Sequence, residues 1–309
     1  MRLVQPREVL VDKVRQGFGG IHSGRIGDSR MPGILYVVAT PIGNLEDVTL
    51  RALRILRDVS LVAAEDTRRT GRLLQHYSIS TRTTSLHEHN EREKTPRLVD
   101  RLLSGDSIAL VSDAGTPVIS DPGEALIAAA RAAGVRVESV PGPSAVMASL
   151  AASGLPSHEF TFLSFPPSRS KDRKKWLARA ANEPRLVVFF EAPHRVRATL
   201  AELAEVAGDR LVGVARELTK VHEELVIQPI STALTYFSEP RGEFTILLPP
   251  QDVSSAPPKT ISAGQLASEF CELTKNNPGS RRQAVRALAD RHGLRVNEVY
   301  RILHEPEVE

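Results

Sequence analysis

Residues 108–140 read IALVSDAGTPVISDPGEALIAAARAAGVRVESV. Residues 108–111 are an unbroken apolar run, 124–133 have helical spacing, and 135–140 form a second β-rich run. A short apolar strand joined through a helix to another strand is the repeating unit of a parallel sheet. A run without polar alternation implies that both faces of the strand are covered. Between the first strand and the helix lie residues 112–123, with Gly115, Pro117, Pro122 and Gly123. Such residues impose an irregular backbone whose N–H and C=O groups stay outside the sheet, free for a ligand. In open α/β sheets, the loop beyond the carboxyl end of a strand is where ligands bind.

The same alternation extends upstream through 34–39, 50–59, 61–64, 68–76 and 98–103. Helices on both faces of a parallel sheet are therefore expected. After Leu155 and Pro156 the pattern changes. Strand-like runs at 160–165 and 186–190 flank a helix at 171–181, and further runs at 211–215, 224–227 and 244–248 are close enough to pair antiparallel. The expected architecture is two α/β domains, 33–153 and 154–250, the second with a mixed sheet. A linker at 251–262 and an all-helical tail at 263–309 follow, and residues 1–32 read as a disordered extension, with Met31 a possible natural start.

The apolar fraction of 41% and charged fraction of 25% fit a globular protein and exclude disordered and collagen-like classes. The single cysteine, Cys271, excludes an internal disulfide framework and a multi-cysteine zinc site. The uncharged stretch 139–157 is broken by Pro141, Gly142, Pro143, Gly154 and Pro156, so it reads as a loop and a short buried helix and no membrane span is expected. The formal charge of +3 comes from residues 1–32; the rest of the chain is neutral, so the total charge is no argument for nucleic acid.

Two more Gly/Pro loops follow strands: Thr40-Pro41-Ile42-Gly43-Asn44-Leu45-Glu46-Asp47 and Pro141-Gly142-Pro143-Ser144-Ala145. Together the three loops would line one crevice. Glu65-Asp66-Thr67-Arg68 and His87-Glu88-His89-Asn90 bring candidate proton acceptors to the same rim. Asp113 and Asp121 are candidates for hydrogen bonds to hydroxyl or amine groups. Asp66 with Arg68 or Arg69 also fits a plain structural ion pair. His87 and His89 have no evident third ligand and do not match HExxH, so no metal is expected. Neither G-x-G-x-x-G after the first strand nor G-x-x-x-x-G-K-[ST] occurs, which disfavours a dinucleotide or triphosphate site.

TPIGNLED, AAEDTR, HEHNE, SDAGTPVISDPG, PGPSA, FFEAPHR and RELTK, in this order, resemble the ribosomal RNA small subunit methyltransferase I family within the tetrapyrrole methylase superfamily. The resemblance implies S-adenosylmethionine bound in a cleft between two α/β domains. It also implies methyl transfer to the ribose 2′-oxygen of a cytidine in small-subunit rRNA, naked or in an assembled subunit, by a cytoplasmic homodimer. Carried over residue by residue, it assigns cofactor contacts to Pro41, Asp113, Ala114, Gly115, Val118, Ser144 and Ala145, with Glu191 and Leu218 from the second domain. It leaves the proton acceptor among Asp66, His89 and Glu88. Ala192 stands where many relatives are expected to carry serine. A tetrapyrrole-like small substrate and a non-catalytic rRNA-binding assembly factor are the competing readings.

Residues 166–197 hold nine Lys/Arg against three Asp/Glu. Arg169, Lys171, Arg173, Lys174, Lys175 and Arg179 crowd one helix beside Trp176, a pattern suited to phosphates and also to a solvated face. Phe189 and Phe190 read equally as buried strand and as cofactor wall. In the tail, Ala289, Gly293, Leu294, Val299 and Ile302 have helix-turn-helix spacing, with Arg281, Arg282, Arg286, Arg295 and Arg301 supplying charge. That pair of helices is read either as a nucleic-acid contact or as a cap.

Overall fold

The computed structural model describes residues 31–251, 263–275, 281–292, 299–300 and 302–303. Its contacts form two compact units that divide after Ala145.

The first unit holds β1 (Ile34–Val38), α1 (Leu50–Asp58), β2 (Leu61–Ala64), α2 (Thr67–His76), β3 (Thr83–Ser85), α3 (Glu91–Leu103), β4 (Ile108–Val111), α4 (Glu124–Ala132) and β5 (Arg136–Val140). All five strands are parallel, in the order β3-β2-β4-β1-β5. Every residue of β2 and β4 is buried, which is why both read as apolar runs. Their alternate residues serve opposite faces. Val62, Ala64, Ala109 and Val111 pack with Leu53, Leu56 and Leu74 of α1 and α2. Leu61, Ala63, Ile108 and Leu110 pack with Leu98, Leu102, Leu126 and Ala130 of α3 and α4.

This doubly wound arrangement fixes where a crevice forms. β1 and β2 lead into helices on one face, whereas β4, between them, leads into α4 on the other. The chain therefore diverges on both sides of the β4 carboxyl end, the condition for a ligand crevice in such sheets.

α3 starts at Glu91, well ahead of the expected 98, and contains Pro96. Proline lacks an N–H and usually marks a helix boundary, so the sequence pattern starts the helix too late.

The second unit begins with α5 (Ala145–Ser153), whose Val146 and Leu150 pack on Leu186, Val188 and Leu247. These contacts put the division at Ala145, earlier than the expected 153. Next come β6 (Phe160–Phe162), α6 (Ser170–Ala181), β7 (Leu186–Glu191), α7 (Pro193–Ala207), β8 (Leu211–Arg216), β9 (Glu224–Pro229), α8 (Ile230–Tyr236) and β10 (Phe244–Leu248). The sheet order is β6-β7-β10-β8-β9, with β6 parallel to β7 and the other pairs antiparallel. Phe244 opposes both Glu191 and Arg216, so β7 and β8 end at the same edge.

In the tail, α9 (Ala263–Lys275) and α10 (Arg281–His292) bury Leu266, Val285, Leu288 and Ala289 in one cluster with Val299. Gly293, Leu294, Arg295 and Arg301 of the expected helix-turn-helix lie outside the described residues, as do 1–30 and 252–262. No described helix is long and apolar enough to cross a membrane.

Gly123 opens α4 at φ +126°, and a Cβ there would stand 2.6 Å from Leu110 Cδ2. Gly123→Ala therefore adds backbone strain and a clash with a buried strand residue. The expected loss is about 1–3 kcal/mol of stability, read from chemical denaturation.

Candidate functional site

The loop over residues 112–123 joins the strands around it into one structure. On the β1 side, Thr40 and Gly115 exchange two backbone hydrogen bonds, 2.9 and 3.0 Å. Thr116 Oγ1 donates to the Pro143 carbonyl at 3.2 Å, which ties in the loop after β5. Gly115 has φ +86°, and a Cβ there would come within 3.2 Å of Ile42 and 3.5 Å of the Pro143 carbonyl. Three loops thus meet closely at a residue without a side chain. Pro41, Asp113, Ala114, Gly115, Val118, Ser144 and Ala145 all stand at this carboxyl edge. Val118 and Ser120 are held at φ +74° and +71°. For a β-branched residue this is a true outlier, of a kind that clusters at ligand sites.

On the β2 side the loop meets carboxylates. The backbone N–H of Asp66 donates to Asp113 Oδ1 (2.9 Å) and that of Asp113 donates to Glu65 Oε2 (3.2 Å), so the ends of β2 and β4 are laced together. Asp113 also faces the Arg69 guanidinium at 3.5 Å. Burial, together with the nearby Asp113 charge, pushes the Glu65 carboxyl upward. Burial and the Glu65 charge push Asp121 up to about 6.

Asp66 behaves differently. It caps α2 by accepting from the Arg68 N–H at 2.8 Å, and its carboxylate is clamped by the Arg68 side chain. The Arg68 hydrogen bonds hold Asp66 down at about 2. A carboxylate so strongly stabilised as an anion is a weak base, so the clamp argues against Asp66 among the three candidate proton acceptors. Glu88 and His89 are exposed.

In the HEHNE segment the best-connected groups are Glu91 and Asn90. Glu91 Oε1 accepts from the N–H groups of Gly123, Ala125 and Leu126 at 3.1, 2.8 and 3.3 Å. α4 starts at Gly123 with no side-chain cap of its own, and a carboxylate at a helix N-terminus is favourable. Sequence reasoning passed over Glu91; the signal was a helix start with no capping side chain of its own. Asn90 accepts from the His87 N–H at 2.9 Å and donates to His87 Nε2 at 2.9 Å. The segment is therefore partly a brace for the loop.

In the second unit, Glu191 and Leu218 lie at one edge and both are buried. The Glu191 carboxylate accepts from Ala192 N, Arg195 and Thr199 Oγ1 at 2.5–2.8 Å, so its side chain is committed to the scaffold. Arg173 departs from the expected RNA-facing set. It is 8% exposed and bonds Glu202 at 2.7 Å and Thr199 at 2.6 Å. Together with Leu177, Ala180 and Ala181 it lies on the inward face of α6. Arg169, Lys171, Lys174, Lys175 and Arg179 are exposed. Phe189 is fully buried with its ring against the partly buried Trp176, centroids 5.1 Å apart, which makes Phe189 a core residue.

Residues 34–234 match the sequence model of Tetrapyrrole (Corrin/Porphyrin) Methylases. Solved structures share the fold. Diphthine synthase superposes with a TM-score of 0.58 at 16% identity, covering 70% of this chain and 90% of that one. Uroporphyrin-III C-methyltransferase from Thermus thermophilus, complexed with S-adenyl homocysteine, gives 0.53 at 20%, covering 70% and 97%. A doubly wound sheet with polar loops at its carboxyl edge, followed by a mixed sheet, thus defines a methyltransferase of the tetrapyrrole methylase class. Ribosomal RNA small subunit methyltransferase I of Vibrio cholerae is 45% identical over 277 residues, 87% of this chain and 93% of that protein. The protein of the same name from Synechocystis sp. is 43% identical over 280 residues, covering 90% and 99%. The chain belongs to the ribosomal RNA small subunit methyltransferase I family.

Glu91→Ala removes the acceptor of three N–H groups at the start of α4. The expected cost is about 1–2 kcal/mol in chemical denaturation. Glu91→Gln, which keeps an acceptor oxygen without the charge, loses less.

Proposed function

We propose that this protein transfers the methyl group of S-adenosylmethionine to the ribose 2′-oxygen of a cytidine in small-subunit ribosomal RNA. The observation that carries this reading is the identity of 43–45% with rRNA methyltransferases I over nearly the whole chain. The fold alone does not choose a substrate, because its structural neighbours include a porphyrin methylase.

The residues present fit the cofactor. S-adenosylmethionine carries a sulfonium and an ammonium, and Glu65 and Asp113 present carboxylates at the β2–β4 crevice. Pro41, Ala114, Gly115, Val118, Ser144 and Ala145 offer the close-packed backbone of the three loops. We assign Asp113 to a cofactor hydroxyl or amine and the other six to shaping the walls. When bound, the cofactor supplies an electrophilic methyl carbon. The protein's task is then alignment of the acceptor hydroxyl, where gains from orientation are large.

For the RNA, the exposed cations Arg169, Lys171, Lys174, Lys175 and Arg179 form the contact we favour over a solvated face. A small tetrapyrrole would not need such a row of charges. The protein acts in the cytoplasm as a homodimer, a reading supported by its family and by a composition suited to a reducing compartment.

Labelled methyl from S-adenosylmethionine, offered with unmodified small subunits, naked rRNA and a tetrapyrrole precursor, is expected on an rRNA ribose. Label only in the tetrapyrrole overturns the substrate assignment, and binding of RNA without transfer under every condition favours an assembly factor. Lys174→Glu with Lys175→Glu is expected to weaken RNA binding and to make the slope of log K against log salt shallower by about 1.4. Cofactor affinity stays unchanged in that variant, and unchanged RNA affinity would remove α6 from the RNA contact.

A further inference from the structure

We propose that Phe165 is the platform on which an unpaired base of the rRNA stacks, a role that rests on the rRNA reading above. Of the described phenylalanines it alone is exposed, at 45%. An apolar side chain at the surface is ordinary by itself. The support beneath this one sets it apart.

Phe165 follows the carboxyl end of β6, which runs parallel to β7. Its ring lies 5.4 Å from that of Phe190, which in turn lies 5.1 Å from that of Phe162, at interplanar angles of 53° and 67°. These are favourable spacings for aromatic pairs, and Phe165 is the member of the trio that meets solvent.

The backbone is fixed on both sides of the ring. Before it, Leu163 N donates to the Val188 carbonyl at 2.9 Å and Phe190 N donates to the Ser164 carbonyl at 3.0 Å. Ser164 itself is held at φ +54°. After it, Arg195 donates to the Pro166 carbonyl at 3.3 Å and to Ser168 Oγ at 3.1 Å, and Arg173 donates to the Pro167 carbonyl at 3.4 Å. Both guanidiniums converge on the buried Glu191 carboxylate, at 2.6 and 3.8 Å. Pro166 also confines the Phe165 backbone to extended conformations. The loop is thus ordered by the fold, so a ligand does not have to bear that entropy.

A flat ring held in this way suits another flat π surface, and the charge around it says which. Residues 164–175 contain five Lys/Arg and one acid, Asp172. Four of those cations, Arg169, Lys171, Lys174 and Lys175, are exposed. The loop therefore runs from an aromatic ring directly into the basic row of α6. A base on Phe165, with phosphates of the same strand on Arg169 and Lys171, is the combination by which proteins hold single-stranded nucleic acid. Contacts that select RNA sequence are likewise made to unpaired bases stacked on aromatic side chains. A second copy of this chain fits less well. It would bring like charges together, and one exposed ring supplies little of the about 800 Å² per partner of a standard interface.

The test uses the full chain and unmodified small-subunit rRNA, with binding measured at several salt concentrations and self-association followed by sedimentation. Phe165→Ala is expected to weaken RNA binding by about 5- to 150-fold, the range for losing one stacked base. The slope of log K against log salt stays as in the parent, because no charge is removed. Phe165→Tyr restores affinity, whereas Phe165→Leu, apolar but not aromatic, does not. In Phe165→Trp the added indole is quenched on RNA binding, read by difference from the single native tryptophan, Trp176. RNA affinity unchanged in Phe165→Ala, or an indole that RNA does not quench, overturns the proposal. So does full rescue by Phe165→Leu, quenching by a tetrapyrrole but not by RNA, or a loss of self-association with RNA affinity kept, which assigns the ring to a contact between copies. Should Phe165→Ala fail to fold, the tyrosine, leucine and tryptophan variants decide by the same criteria. A parent protein that neither binds nor methylates RNA sinks the rRNA reading and this role with it, whereas a parent that does both while Phe165→Ala binds equally well sinks this role alone.

Discussion

The structure turns on the end of β4. That strand is buried along its whole length between parallel neighbours, and the chain leaves it toward the face opposite to the one its neighbours take. The backbone that follows cannot continue the sheet, yet it must satisfy its polar groups within a compact unit. It does so by bonding to Thr40 and Pro143 on one side and to Glu65 and Asp66 on the other. The irregular loop, its positive-φ residues and the crevices beside it all follow from this constraint.

The two sides of the loop then differ in chemistry. Toward β1 and β5 the contacts are backbone to backbone around a glycine, which gives a close-fitting wall with little charge. Toward β2 the contacts are made by carboxylates, each with a different set of partners. Four acids close together cannot all be ionised at low cost. Arg68 settles Asp66 as an anion and Arg69 pairs with Asp113, while burial and the neighbouring charges fall on Glu65 and Asp121.

Much of this was legible in the chain, for identifiable reasons. β2 and β4 read as strands because full burial demands apolar residues at every position, and the 112–123 loop stood out because glycine and proline mark an irregular backbone. What stayed hidden depends on direction and on contacts distant in sequence. A count of charge cannot see that Arg173 lies on the same helical face as Leu177 and Ala180, so it was grouped with cations that point outward. The start of α3 was hidden by Pro96, and α5 was assigned to the wrong neighbour because the partners of Val146 and Leu150 lie some forty to one hundred residues further on. The acidic rim was visible as Glu65, Asp66, Asp113 and Asp121, but the sequence does not show which of them an arginine reaches.

That last distinction separates the carboxylates of this rim from one another. Asp66 lies beside Arg68, and a helix start makes an excellent home for its anion. The same features that make it a good cap leave it little affinity for a proton. Asp121 has no such support: its neighbours are a hydroxyl and two like charges, and its surroundings are partly dry. The turn that holds it there is braced by Glu91, a carboxylate whose own charge is absorbed by the amides opening α4. One acid, at the start of α3, thus holds the backbone of a loop in which another stays without a cation.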